Sequence, residues 1–261
     1  MMKQKRSSRR QFIAKAGSGL IGAGIVSSQV LAQESVKEER VQDLEKGLAF
    51  LFQGDSITDG NRGRTSDPNH IMGHGYAYSI ASRVGADFPR AGFTFCNRGI
   101  SGNRVTDLEN RWEEDTLKLK PDVLSLLIGI NDAAAVIEQH PKAQKLSQFE
   151  ATYRRLLQMC QEVSPNVLMV LGLPFVFPVG PRQNMWEQWK GETKARADVV
   201  RVLAQEFNAV VVDYVRIFED LDPIDYWIWD GIHPTVFGHE LMAREWLKQV
   251  SSRLKFLKIY R

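Results

Sequence analysis

The sequence predicts an α/β fold, a three-layer α/β/α sandwich around a five-stranded parallel sheet, from two observations. First, five short runs are apolar throughout rather than alternating, which is typical of strands buried on both faces. These runs cover residues 48–52, 93–96, 123–128, 167–171 and 210–212. Second, helical stretches separate the runs, and strands that alternate with helices pair in parallel through right-handed crossovers, with helices on both faces.

Two helices have the clearest sequence signals. Ser147 and Glu150 have the spacing of a capping box, which predicts that a helix begins at about Ser147 and ends at Ser164-Pro165. Its apolar positions are Phe149, Tyr153, Leu156, Leu157 and Cys160. A last helix is predicted after Thr235. Its expected buried stripe is Leu241, Trp246, Leu247 and Val250.

The chain is predicted to contain a leader, 1–32, a charged lead-in segment, 33–46, and one domain, 47–261. The leader carries six basic side chains and no acidic one, and Arg9-Arg10 precedes a mild apolar run rich in glycine and alanine. This pattern resembles a twin-arginine export signal, so we expect a periplasmic or secreted protein. The glycines make the run too weakly apolar to predict a stable membrane span in the mature protein.

The composition after the leader argues against a nucleic-acid partner. Residues 33–261 carry 28 basic and 31 acidic side chains, so the basic character of the whole chain belongs to the leader. Cys96 and Cys160 stand in apolar contexts and are expected to be small core residues. Their spacing leaves a disulfide open.

Polar and glycine-rich segments follow the first three predicted strands, at 54–60, 97–104 and 129–132, and a fourth such segment covers 230–234. In an open parallel sheet, ligands bind beyond the carboxyl ends of the strands. We therefore expect these four segments to meet at one edge of the sheet.

Three residues in these segments have the chemistry of nucleophilic catalysis. The hydroxyl of Ser56 is a weak nucleophile that needs an adjacent base, and the imidazole of His233 titrates near neutral pH. Asp230 stands three residues before His233, close enough to fix the imidazole tautomer. A helix-capping role for Ser56 is the alternative interpretation of that position alone.

The four segments resemble the four sequence blocks of the SGNH/GDSL hydrolase superfamily, in the same order. The resemblance implies an SGNH hydrolase fold, which is a flavodoxin-like sandwich, and serine esterase activity. It implies that Ser56 is the nucleophile, that Asp230 and His233 complete the triad, and that Ser56, Gly102 and Asn131 donate to the oxyanion. It implies no cofactor.

The remaining histidines do not predict a metal site. His239-Glu240 lacks a second histidine four residues after the first, so the zinc protease pattern is incomplete. The other histidines are expected to be solvated or locally bonded: His70, His74, His140 and His239.

Within the superfamily, the chain is most similar to bacterial carbohydrate acetyl esterases of the acetylxylan esterase kind. The similarity includes residues 97–104, 111–115 and 120–123. It implies a small acylated substrate, an acetylated sugar such as a xylan-derived oligosaccharide. Tyr226 and Trp229 stand beside the expected triad and are candidates for stacking on sugar rings. The run 133–135 is all alanine and is expected to widen the site.

Three alternatives stay open at this stage. A lysophospholipase or thioesterase would use the same triad on a longer acyl chain. A glycan-binding protein could keep the fold without catalysis. The sequence also leaves a homo-oligomer open.

Overall fold

The centre of the fold is a sheet of five parallel strands, which confirms the predicted α/β sandwich. The strands are β1 (Ala49–Gly54), β2 (Thr94–Asn97), β3 (Val123–Leu127), β4 (Leu168–Gly172) and β5 (Val210–Val212). The computed structural model describes residues 47–261, so the predicted leader, 1–32, and lead-in segment, 33–46, lie outside the described residues.

The strand order β2-β1-β3-β4-β5 locates the expected binding crevice. From β1 the chain goes outward to β2 and then returns to the other side of β1 to form β3. Such a reversal of strand order opens a crevice beyond the carboxyl ends of the strands on either side of it. The segments that follow β1, β2 and β3 therefore border one cleft.

Helices cover both faces of the sheet. They are α1 (Ser56–Asp59), α2 (Tyr76–Asp87), α3 (Val105–Asp115), α4 (Ile130–Ile137), α5 (Leu146–Val163), α6 (Trp186–Glu206), α7 (Tyr214–Phe218) and α8 (Val236–Val250). Among residues 47–261, none of these helices has the length and apolar character that a membrane span requires.

Each face of the sheet has its own hydrophobic core. On one face α2 packs against α8, and Trp246 of α8 is fully buried and donates from Nε1 to Ser125 Oγ in β3 at 3.0 Å. On the other face α3, α5 and α6 pack together, and buried Trp112 donates to the carbonyl of Leu156 at 3.0 Å. These contacts hold α2, α3 and α8 against the sheet, next to the polar segments that follow β1 and β2 and that precede α8.

The predicted start of α5, at about Ser147, is confirmed to within one residue, but the predicted capping box of Ser147 and Glu150 was wrong. The helix begins at Leu146, because Gln148 rather than Glu150 accepts a hydrogen bond from the backbone N–H that precedes the helix, that of Lys145, at 2.9 Å. Ser147 lies inside the first turn. The predicted start of α8 is confirmed, since Thr235 Oγ1 accepts from the N–H of Gly238 at 3.3 Å.

Neither cysteine forms a disulfide. Cys160 is buried on α5 and Cys96 is half-buried at the end of β2, and both are free thiols. Burial raises the pKa of Cys160 to about 12. This thiol is therefore protonated and unreactive at neutral pH, in keeping with a packing role.

His239 is buried on α8, so the expectation that it is solvated or locally bonded was wrong. Its Nδ1 accepts a hydrogen bond at 3.2 Å from the backbone N–H of Tyr76, the first residue of α2. That N–H has no partner within α2, because the first N–H groups of a helix have none. Burial lowers the pKa of His239 to about 4.

His239 is expected to make the fold less stable in mild acid. In the unfolded chain its pKa is about 6.5, so between about pH 6.5 and pH 4 the unfolded state binds a proton that the folded state does not. The contribution of His239 to the free energy of unfolding should therefore fall as the pH drops through this window, by up to about 3 kcal/mol. Asparagine keeps an acceptor near the Nδ1 position and does not titrate. Urea unfolding at several pH values should thus show that the wild-type free energy of unfolding falls relative to that of His239→Asn as the pH drops, and a difference that stays constant with pH would contradict this assignment.

Candidate active site

Ser56 lies at the carboxyl end of β1, at the start of a single helical turn. Asp55 caps that turn, because its Oδ1 accepts from the N–H of Ile57 at 3.0 Å, and Gly60 ends it in the left-handed conformation, with φ 50°. Gly54 allows close packing under the turn, since a Cβ atom there would lie 2.3 Å from the carbonyl oxygen of Leu127. The turn presents the Ser56 side chain, which is half-buried, at the sheet edge.

Asp230 and His233 occupy one tight turn before α8. Asp230 Oδ1 accepts from the backbone N–H groups of Ile232, at 3.0 Å, and His233, at 2.7 Å. The other oxygen, Oδ2, lies 2.7 Å from His233 Nδ1. One carboxylate therefore shapes the turn with one oxygen and orients the imidazole with the other.

The two ends of the domain meet at this imidazole. His233 Nε2 lies 2.8 Å from Ser56 Oγ, although the residues are 177 positions apart in the chain. When Nδ1 carries the proton and donates to Asp230, Nε2 is free to accept the hydroxyl proton of Ser56. This arrangement can deprotonate the serine as it attacks a carbonyl carbon.

The charges of the pair favour an ionised aspartate and a basic imidazole. Partial burial opposes ionisation of Asp230, but hydrogen bonds from the His233 ring and from two backbone N–H groups lower its pKa to about 2. The hydrogen bond with Asp230 raises the pKa of His233 above 6.5, despite its partial burial. Asp230 therefore stabilises the imidazolium that forms when His233 takes a proton.

The segment after β2 is fastened to the serine turn. The N–H of Ile100 donates to the carbonyl of Gly54 at 3.1 Å, and that of Ser101 donates to Asp59 Oδ2 at 2.9 Å. Asn97 is buried, and its side-chain amide donates to the carbonyl of Thr58 at 2.7 Å. These bonds hold the Gly102 backbone at the same edge as Ser56.

Asn131 is bonded to Asn103, the residue that follows Gly102. The Asn131 amide donates to the carbonyl of Asn103 at 3.0 Å, which uses one of its two N–H groups. Gly102 has φ +81°, a backbone conformation that a side chain makes costly. The positive φ therefore gives a conformational reason for glycine at this position.

Asp132 extends this scaffold. Its carboxylate accepts from the N–H of Val105 at 3.2 Å and so fixes the start of α3 to the start of α4. The carboxyls of Asp55 and Asp132 are both buried, which raises their pKa values to about 7 and about 6. Aspartate is common in turns, and the burial of these two residues depends on the tertiary fold and left no signal in the sequence.

The two aromatic candidates are exposed beside the triad. Trp229 is 62 % exposed, and its ring centroid lies 6.2 Å from that of His233 at an interplanar angle of 25°. Tyr226 stacks on Phe237, with ring centroids 4.7 Å apart. Both candidate rings are accessible to a ligand.

The alanine run does not act as expected. Ala133 and Ala135 are buried on α4. The expectation that all three residues widen the site was therefore wrong, because two of the three point into the protein interior. Among the described residues, no group of histidine, cysteine, aspartate or glutamate side chains is arranged to hold a metal ion.

Sequence reasoning missed Arg182, which lies in the 3-10 turn Gly180–Gln183 after β4. Its side chain packs on Gly231, within the Asp230–His233 turn, because a Cβ atom at Gly231 would lie 2.7 Å from Arg182 Cγ. Its position in the sequence could have indicated it, because the segment after β4 ends at the same sheet edge as the other polar segments.

Comparison with known proteins agrees with this geometry. Residues 52–241 match the model of the GDSL-like Lipase/Acylhydrolase family. The chain is 34 % identical to the acetylxylan esterase of Geobacillus stearothermophilus over 212 residues, which cover 78 % of this chain and 94 % of that protein.

Solved structures show the same fold. The crystal structure of the Geobacillus acetylxylan esterase Axe2 superposes with a TM-score of 0.68 at 32 % identity, covering 78 % of this chain and 94 % of that one. A GDSL-like protein from Parabacteroides merdae gives a TM-score of 0.74 at 35 % identity, covering 80 % and 98 % of the two chains. The resemblance found in the four sequence blocks is thus confirmed, and the chain belongs to the GDSL-like lipase/acylhydrolase family as a carboxylic ester hydrolase.

Proposed function

We propose that the protein is an exported serine esterase that removes O-acetyl groups from carbohydrate, such as xylan-derived oligosaccharides, through a Ser56-His233-Asp230 triad and an acyl-enzyme. The observation that carries the proposal is the continuous hydrogen-bonded chain from Ser56 Oγ to His233, at 2.8 Å, and from His233 to Asp230, at 2.7 Å. The twin-arginine pattern of the leader supports export.

In the first half of the reaction, Ser56 Oγ attacks the ester carbonyl carbon while His233 Nε2 takes the hydroxyl proton. Collapse of the tetrahedral intermediate breaks the bond to the sugar oxygen, and His233 returns the proton to that oxygen. Water then attacks the acetyl-serine with His233 as base, which releases acetate and restores the serine. Asp230 stays ionised throughout and stabilises the imidazolium.

The negative charge that develops on the carbonyl oxygen needs fixed donors. We assign this role to the backbone N–H groups of Ser56 and Gly102 and to the remaining N–H of the Asn131 amide. The bonds that fasten the Gly102 segment to β1 and to Asn131 support this assignment, because donors held in place need no reorganisation during the reaction.

Two features of a relative support the triad and the substrate. The relative that is 34 % identical is an acetylxylan esterase. Solved catalytic mutants of that esterase carry alanine in place of a serine, an aspartate and a histidine, and its aspartate precedes its histidine by three positions, as Asp230 precedes His233. Exposed Trp229 supplies an aromatic face for a sugar ring beside the triad.

Acyl-chain profiling tests the substrate class. With p-nitrophenyl esters from acetate to octanoate, kcat/KM is expected to be highest for acetate and to fall with chain length, and acetylated xylo-oligosaccharides should release acetate. A rise toward octanoate would instead favour the lysophospholipase or thioesterase alternative. Binding of acetylated oligosaccharides with no acetate release would favour a glycan-binding protein.

A further inference from the structure

Arg182 is a cationic side chain that packs against the turn that carries Asp230 and His233. It packs over Gly231, the residue that follows Asp230, as the 2.7 Å approach of its Cγ to a Cβ position at Gly231 shows. The carbonyl of Gly231 in turn accepts from the N–H of Phe177 at 2.8 Å, so the segment after β4 and the triad turn are bonded together. Arg182 is therefore held against the turn that carries the base.

The guanidinium is fixed in place by an aromatic ring. Arg182 Cζ lies 4.4 Å from the ring centroid of Trp189, which is only 2 % exposed. The Nε atom is buried and has no hydrogen-bond partner among residues 47–261. Stacking on Trp189 removes much of the rotational freedom of a long side chain before any ligand arrives.

No aspartate or glutamate in the described part of the chain forms an ion pair with Arg182. Three other arginines in the segments around the cleft are paired: Arg64 with Asp59, Arg104 with Asp107, and Arg111 with Asp115. The uncompensated charge of Arg182 also acts on the triad, because it lowers the pKa of His233, against the stronger effect of Asp230. The Arg182 guanidinium therefore lacks a carboxylate partner and lies near His233, which must become an imidazolium. It can bind an anionic group of a ligand.

We propose that Arg182 is a specificity-determining residue that binds a carboxylate of the substrate, so that the enzyme prefers acetylated oligosaccharides that contain a uronic acid over neutral ones. This proposal rests on the esterase function proposed above. Arginine presents parallel N–H groups that match a carboxylate, and such charge-assisted bonds are the strong ones. The bound carboxylate would also offset the repulsion between Arg182 and the imidazolium of His233.

The test compares one acidic and one neutral substrate, acetylated oligogalacturonide and acetylated xylo-oligosaccharide, by acetate release at low salt. The wild type is expected to show the higher kcat/KM on the acidic substrate, and Arg182→Gln should reduce the acidic-to-neutral ratio by about 10- to 100-fold, mainly through KM. Arg182→Lys keeps the charge but loses the paired N–H groups, so its ratio should lie between the two. Raising the salt concentration should reduce the wild-type preference.

The controls separate a binding role from a structural one. Arg244→Gln removes the same charge from an exposed position on α8 and should leave the ratio unchanged. An equal loss on both substrates in Arg182→Gln, or a wild type that prefers the neutral substrate, would overturn the proposal. Hydrolysis of p-nitrophenyl acetate tests the esterase separately. If Ser56→Ala keeps that activity the proposed function fails, whereas full esterase activity without an acidic preference refutes only the role of Arg182.

Discussion

Replacing Ser56 by alanine is expected to lower kcat for acetyl ester hydrolysis by roughly 10⁵- to 10⁶-fold, because the atom that attacks the carbonyl is removed. The fold should be retained, since Ser56 is half-buried and its hydroxyl bonds to His233, which is also half-buried and can bind water instead. Acetate release measures the activity, and thermal unfolding by circular dichroism checks the fold.

The double variant makes this prediction sharper. If Ser56 and His233 act as one unit, His233→Ala should cost about as much as Ser56→Ala, and the two changes together should cost little more than either alone. If the fold-reductions in kcat of the two single variants multiply in the double variant, the two residues act independently, which would contradict the proposed proton transfer. A folded Ser56→Ala variant with wild-type activity would refute the serine mechanism outright.

Replacing Asp230 by asparagine is expected to lower kcat by about 10⁴-fold, through the tautomer of His233. The Oδ1 of the new side chain can still accept from the N–H groups of Ile232 and His233, so the turn is kept. Its amide N–H₂ then faces His233 Nδ1, which must become an acceptor, and the ring proton moves to Nε2. In that state Nε2 cannot accept the proton of Ser56.

The pH profile distinguishes this explanation from a loss of structure. Asp230 raises the pKa of His233, so without its charge that pKa should fall and the acid limb of kcat/KM for the residual activity should shift to lower pH. Asp213→Asn is a matched control, because Asp213 caps two backbone N–H groups with Oδ1 and pairs through Oδ2 with Arg201 rather than with a histidine. It should leave kcat unchanged. An unshifted acid limb in Asp230→Asn would contradict the proposed role.

The strands and the contacts among Ser56, His233 and Asp230 were accessible from sequence. Continuous apolar runs mark strands that are buried on both faces, and the observed strands differ from the predicted runs by at most two residues at either end. Asp230 and His233 share one turn, so their spacing alone brings them together. Ser56 and His233 are 177 positions apart, and their contact was implied by the resemblance of the four segments to the superfamily's sequence blocks.

What the sequence could not supply depends on tertiary burial. Nothing local distinguishes the buried Asp132 from an ordinary turn residue, or the buried Ala133 and Ala135 from alanines that line a site. Arg182 was missed because its role depends on the path of the segment after β4 and on the ring of Trp189 beneath it. At α5, the residue that precedes the helix is Lys145, whose N–H donates to Gln148, rather than the predicted Ser147.

Ser56 stands at the end of the first strand, whereas His233 stands just before the last long helix. A folding chain thus has no functional site until this helix has docked beside α2 and brought the imidazole with it. Recovery of esterase activity after denaturation should therefore report the closing step of assembly rather than formation of the sheet. A partly folded chain that lacks only this docking would keep its parallel sheet and still be inert toward esters.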